Sequence, residues 1–182
     1  SVNGQLIKND FLTGYKVGDP IEKGAYANTT QGSGTPIMAN QWNLSGKTGD
    51  NDTGGANPLA VAPLVYTGYS ESGKDVAIDL LKLETGGRTT IYSIAPDYTY
   101  GPDTYYLTFM TNVSTASIDT PHEYLSFDGN YTANGQRARL TVKGVDETTF
   151  QFGISGDASA AKTFISTPFE YNKTYLIVLK VT

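Results

Sequence analysis

The chain has 182 residues, 38% of them apolar and 17% charged, and a chain of that length buries about 70% of its unfolded surface in a core without metals or disulfides, which excludes intrinsic disorder. Thirteen Lys and Arg against 18 Asp and Glu leave a formal net charge of −5, with no basic run longer than a pair, so nucleic acid is excluded as a partner. The absence of cysteine excludes disulfides, thiolate metal sites and cysteine nucleophiles, and no stretch of 18 apolar residues exists to span a membrane.

Thirteen Tyr, seven Phe and one Trp favour half-buried pleated surfaces over long solvated helices. Residues 1–4 carry neither a basic nor an apolar leader region, so a signal peptide is expected to be absent or already removed. The first expected strand is 5–11. Residues 32–58 then form the longest expected loop, rich in Gly, Asn, Asp, Ser and Thr, with only Ile37, Met38, Trp42 and Leu44 as larger apolar residues. Strands are expected at 63–69, 75–83 and 88–94, with the glycines of 84–87 supplying a tight turn between the last two.

Residues 104–113 alternate Tyr105, Leu107, Phe109, Thr111 and Val113 against Tyr106, Thr108, Met110 and Asn112. Both sets are largely apolar or aromatic, so this strand is expected to be central and covered on both faces. After a strand at 123–128, the cleanest alternation is 137–143, where Ala138, Leu140 and Val142 share one face and Arg137, Arg139, Thr141 and Lys143 a wet one. Residues 149–154 repeat it with Phe150, Phe152 and Ile154 inward, joined to the preceding strand by a hairpin loop at 144–148. A strand at 174–181 closes the chain. About nine short strands, no sustained helical spacing, no internal repeat and no linker imply an all-β fold, a two-sheet antiparallel sandwich forming a single domain over 1–182.

The residues Asn9-Asp10-Phe11, Gly14-Tyr15-Lys16-Val17-Gly18, Trp42 and Leu64-Val65-Tyr66-Thr67-Gly68-Tyr69-Ser70-Glu71-Ser72-Gly73 occur in that order. They are followed by Tyr105-Tyr106-Leu107-Thr108-Phe109, the strand at 137–143, Phe152-Gly153-Ile154-Ser155 and Thr174-Tyr175-Leu176-Ile177-Val178-Leu179-Lys180. Taken together they resemble the laminin-G-like, concanavalin A-like jelly-roll modules of secreted bacterial proteins. Each motif is a common strand pattern; their ordered occurrence over nearly the whole chain carries the resemblance. It implies two stacked antiparallel sheets in a jelly roll, used as an accessory module beside enzymes or on the cell surface. The expanded 32–58 segment departs from the family pattern, so no family binding face is carried onto this chain.

Catalytic constellations are weak. Glycosidases of this sandwich type set two carboxylates on one strand, an even number of residues apart, and no such E-x-D-x-x-E pattern occurs among Glu84, Glu123, Glu147 and Glu170. The lone imidazole, His122 after Pro121, reads as a structural loop residue, and residues 68–73 lack the second glycine of a nucleophile elbow. The chain is expected not to be an enzyme, with a glycoside hydrolase of this sandwich type the least favoured alternative.

Saccharide binding asks for an exposed aromatic platform beside hydrogen-bonding side chains. Trp42 stands among Asn40, Gln41 and Asn43, and Asp97, Tyr98, Tyr100 and Asp103 share one short loop. These five residues, Trp42, Asp97, Tyr98, Tyr100 and Asp103, are the expected ligand site; the competing expectation is that Trp42 pins its loop to the sandwich and the tyrosines cap the rim. Asp50 and Asp52, within Gly49-Asp50-Asn51-Asp52-Thr53-Gly54-Gly55, resemble the first half of a calcium loop, although an EF-hand would place Glu where Val61 stands. An Asx-rich turn explains the same residues. No cofactor is expected to be required, with a structural calcium at Asp50 and Asp52 the one metal the sequence admits.

Asn-x-Ser/Thr triplets at Asn28, Asn43, Asn51, Asn112, Asn130 and Asn172 suit a polar extracellular surface, but an Asn- and Thr-rich chain generates them by chance. The expected protein is therefore a secreted or cell-surface module whose partner is a polysaccharide or other glycan. The alternative is a structural or protein-interaction module that contacts neighbouring domains of a larger protein.

Overall fold

The computed structural model describes residues 15–19, 43–45, 59–80, 90–92, 104–128, 136–156 and 161–181. Among the described residues every regular element is a β-strand and every ladder is antiparallel. No described helix is long and apolar enough to cross a membrane. The chain divides into two compact units, 1–99 and 100–182. The expected strand at 5–11 and the turn at 84–87 lie outside the described residues.

In the first unit β1 (Asn43–Ser45) pairs with β4 (Thr90–Tyr92), and β2 (Leu59–Val61) with β3 (Ala77–Asp79). A turn at 16–19 docks on β2: Gly18 N–H donates to Ala60 O at 2.8 Å, and Ala60 N–H to Asp19 O at 2.8 Å. Gly18 takes a φ of +96°, which a side chain would disfavour, and Asp19 Oδ2 accepts from Lys16 N–H at 2.6 Å to close the turn. Fully buried Ala60 is the anchor of this contact.

Two expectations are corrected here. The 32–58 segment is not loop throughout, since β1 lies inside it. Residues 63–69 form no strand, because their apolar run is overridden by turn chemistry: Gly68 and Gly73 have positive φ, and Gly73 N–H donates to Leu64 O at 2.9 Å. Ser72 Oγ accepts from Tyr66 N–H at 2.8 Å and folds the segment back on itself.

In the second unit β5 (Tyr105–Asn112) pairs with β11 (Thr174–Val181) over eight residues without a slip. The other strands are β6 (His122–Asp128), β7 (Gln136–Gly144), β8 (Thr149–Ser155), β9 (Thr163–Phe164) and β10 (Phe169–Glu170). They make a five-stranded sheet in the order β10-β8-β7-β6, with β9 on the far end of the β8 edge. The β7–β8 hairpin turns at Asp146, whose Oδ1 accepts from Thr148 N–H, Thr148 Oγ1 and Thr149 N–H at 2.7–2.8 Å. These bonds hold the Asp146 carboxyl below the ordinary carboxylate range, the Thr148 backbone bond contributing most. At Tyr124 the β6–β7 register slips, leaving an extra residue between the Glu123 and Leu125 pairs.

The core lies between this sheet and the β5–β11 ladder. Leu140, Val142, Phe150 and Phe152 are buried together, and Phe109, Val113, Tyr124, Leu125, Tyr175 and Ile177 pack against them. Each such side chain removed from water contributes about 1.5–3 kcal/mol. Phe150 also meets Phe152 edge-on at 4.8 Å and stacks on Tyr171 at 5.3 Å, so the aromatic content is concentrated here. The packing is sandwich-like, as the alternation of 137–143 and 149–154 implies.

Four finer expectations fail in this unit. The outer face of β5 and β11 is open, with Tyr106 65% and Val178 60% exposed, and among the described residues β5 has β11 as its one partner. The face of β7 expected to be wet is covered at Thr141, which is fully buried, and at Arg139, whose side chain is 13% exposed. Ile154 is 51% exposed, lying beyond the reach of the aromatic cluster at the end of β8. His122 belongs to a strand rather than a loop, pairing with Val142.

Candidate functional site

The expected ligand residues Trp42, Asp97, Tyr98, Tyr100 and Asp103 lie outside the described residues, as do the expected calcium ligands Asp50 and Asp52. What the structure does fix is where two of these segments are attached. Asn43, the residue bonded to Trp42, is the partner of Tyr92 across the β1–β4 ladder. Because the pair is antiparallel, β1 begins where β4 ends. The chain therefore enters β1 from Trp42 and leaves β4 toward Asp97 and Tyr98 at one end of the same small ladder.

Among the described residues, charged and polar side chains gather on the second face of the five-stranded sheet. Glu123 on β6 is opposite Thr141 on β7, and Arg139 is opposite Ser155 on β8, so all four share one side of the sheet. Glu123 Oε2 accepts from Arg139 Nη1, and Glu123 Oε1 lies 3.2 Å from Lys162 Nζ, just before β9. Strands stand about 4.8 Å apart, so the Lys162–Glu123 pair reaches across β8 and β7, above Ser155 and Thr141. Phe164 adds an aromatic ring to the same side. A Cβ on Gly153 would lie 2.6 Å from Phe164 Cε1, so the ring rests on bare backbone beside Thr141.

Sequence alternation marked Arg139 and Thr141 as sharing a face, but it gave no sign that Glu123 and Lys162 would close over them. That juxtaposition depends on strand order, which no local pattern encodes. On the opposite, apolar side, burial pushes the Tyr124 hydroxyl up to about 12. Thr111 lies near enough to offset part of that shift, yet the Tyr124 hydroxyl makes no well-formed hydrogen bond.

Among the described residues no group of three or more His, Cys, Asp or Glu side chains is placed to hold a metal ion. His122 is exposed at the start of β6. No protein-family model matches the chain, and no curated protein or solved structure matches it either.

Proposed function

We propose that the chain is a non-catalytic, extracellular β-sandwich module, a single jelly-roll domain of the laminin-G-like, concanavalin A-like type, that binds carbohydrate as an accessory part of a larger secreted or surface protein. The observation that carries the reading is the β1–β4 ladder. Its one end is the point from which the chain leads to both Trp42 and the Asp97-Tyr98 segment, so an aromatic platform and a carboxylate with a phenol depart from a common base. The all-antiparallel architecture and the weakly charged, tyrosine-rich composition agree with it. Stacking of a sugar face on an indole or phenol ring, oriented by neighbouring carboxylates, is the recognition chemistry these residues suit.

The test is a glycan array followed by titration of any hit, in calcium and in chelator. Trp42→Ala and Tyr98→Ala are each expected to weaken binding by about 1–3 kcal/mol. Loss of binding in chelator that is reproduced by Asp50→Asn with Asp52→Asn would assign the calcium. Absence of any glycan ligand, or full affinity in both aromatic variants, would overturn the reading.

The second reading, a structural or protein-interaction module, is favoured by the open outer face of β5 and β11, where Tyr106 and Val178 stand exposed. Under it Trp42→Ala leaves partner binding unchanged, while Val178→Glu abolishes co-purification with the neighbouring domain.

A further inference from the structure

Three side-chain atoms on the second face of the five-stranded sheet are buried without a hydrogen-bond partner: Arg139 Nε, Thr141 Oγ1 and Ser155 Oγ. Thr141 is fully buried and Ser155 nearly so, and the Arg139 side chain is 13% exposed. A buried donor or hydroxyl left unpaired is costly, and each such group calls for a partner. Their setting specifies the chemistry of that partner. Arg139 and Lys162 are two cations sharing the single carboxylate of Glu123, which engages Arg139 through Nη1 and leaves Nε unused. Among the described residues the local charge is therefore one positive, in a chain whose net charge is −5. Two cations, a free guanidinium N–H, two hydroxyls and the half-buried ring of Phe164 form a set of donors around an apolar surface.

We propose that this face binds the oxyanion of an acidic saccharide, a ring carboxylate or a sulfate ester, with Arg139 Nε and Lys162 Nζ as the charged donors and Thr141 and Ser155 as neutral ones. Phe164 supplies the surface against which the sugar ring lies. Glu123 then acts as an internal stand-in for the ligand: paired with Lys162 it closes over the buried donors and neutralises the cations, and it must swing aside for the incoming anion to reach them. None of these residues belongs to the set that includes Trp42, and the proposal names a saccharide class that the carbohydrate-binding reading leaves open, so it rests on that reading.

The competition gives a test in which variants move in opposite directions. Calorimetric titration of the whole chain uses three probes: an oligogalacturonate for the carboxylate, a sulfated oligosaccharide for the ester, and a neutral gluco-oligosaccharide as reference. The wild type is expected to bind one of the two acidic probes. Arg139→Gln and Lys162→Ala weaken that binding about tenfold each. Ser155→Ala, which leaves every ion pair in place, weakens it several-fold, and Glu123→Gln strengthens it several-fold because both cations are released. Should Arg139→Gln fail to fold, Ser155→Ala and Glu123→Gln still decide.

Binding of the neutral probe alone, abolished by Trp42→Ala, overturns the acidic site and leaves the broader reading standing. Acidic binding unmoved by these substitutions, or weakened by Glu123→Gln, overturns the assignment of this face. Failure of every glycan to bind overturns both.

Discussion

Replacing Gly144 by Ala sets two physical effects against each other. Gly144 ends β7 with a φ outside the left-handed region, so Ala is conformationally admissible and would gain about 0.5–1 kcal/mol from a less entropic unfolded chain. Space opposes the change. The new Cβ would stand 2.6 Å from the Ala116 carbonyl oxygen, 3.0 Å from Tyr171 Oη and 3.2 Å from Ile118 Cγ1. The first contact decides the sign, because its partner is backbone.

Gly144 N–H donates to Ser117 O at 2.9 Å, tying the 116–118 segment to the place it would have to leave. Overpacking of this kind costs about 1–3 kcal/mol, so a net loss of about 1–2 kcal/mol is expected. Urea unfolding followed by tyrosine fluorescence and circular dichroism should show the midpoint lowered by about 0.5–1 M, with the slope unchanged. Gly156→Ala, where a Cβ meets nothing within 4 Å, is the control and should be neutral or slightly stabilising. An unchanged or raised midpoint for Gly144→Ala would refute the packing of β7 on the 116–118 segment.

Asp146→Asn removes a carboxylate whose pKa is depressed by the Thr148 and Thr149 donors. Such a group stabilises the fold above the ordinary Asp value and loses its contribution as pH falls through its lowered one, so wild type should melt above the variant at pH 7 and the gap should close in acid; a gap independent of pH would count against the turn. Tyr124→Phe deletes a buried hydroxyl with no hydrogen bond and should leave stability unchanged or raise it by up to about 1 kcal/mol in urea unfolding, a larger loss showing that the hydroxyl is partnered. In alkali the unfolded chain gives up the phenolic proton first, so wild-type stability should fall as pH rises from 10 toward 12, and the variant should lack that share of the slope.

The parts of the fold legible in the sequence are those where one local pattern meets one layer of packing. Leu140, Val142, Phe150 and Phe152 alternate with polar residues and are buried together, and residues 174–181 form β11 over that very span. The two- and three-residue strands β2, β9 and β10 are too short to complete an alternation, and they exist because β3 and β8 offer edges to pair with. Residues 63–69 show the reverse case, an apolar run ended by Gly68, which the chain needs at positive φ. The polarity of Arg139 and Thr141 suggested water, whereas the Lys162–Glu123 pair that spans them comes from residues 39 positions apart. Trp42, Asp97 and Tyr98 were chosen from residue type alone, and only their points of attachment are fixed by strand register.

The slip at Tyr124 changes what β6 is able to do. An unbroken pleat cannot send two consecutive side chains to the same side, yet Tyr124 and Leu125 both pack inward while Glu123 stays opposite Thr141 on the other side. In facing terms Glu123 and Leu125 behave as immediate neighbours, and Tyr124 is an insert between them. Excising that one codon would keep the carboxylate and the leucine on their present sides and forfeit a single ring, which makes position 124 the place where this strand tolerates a change of length.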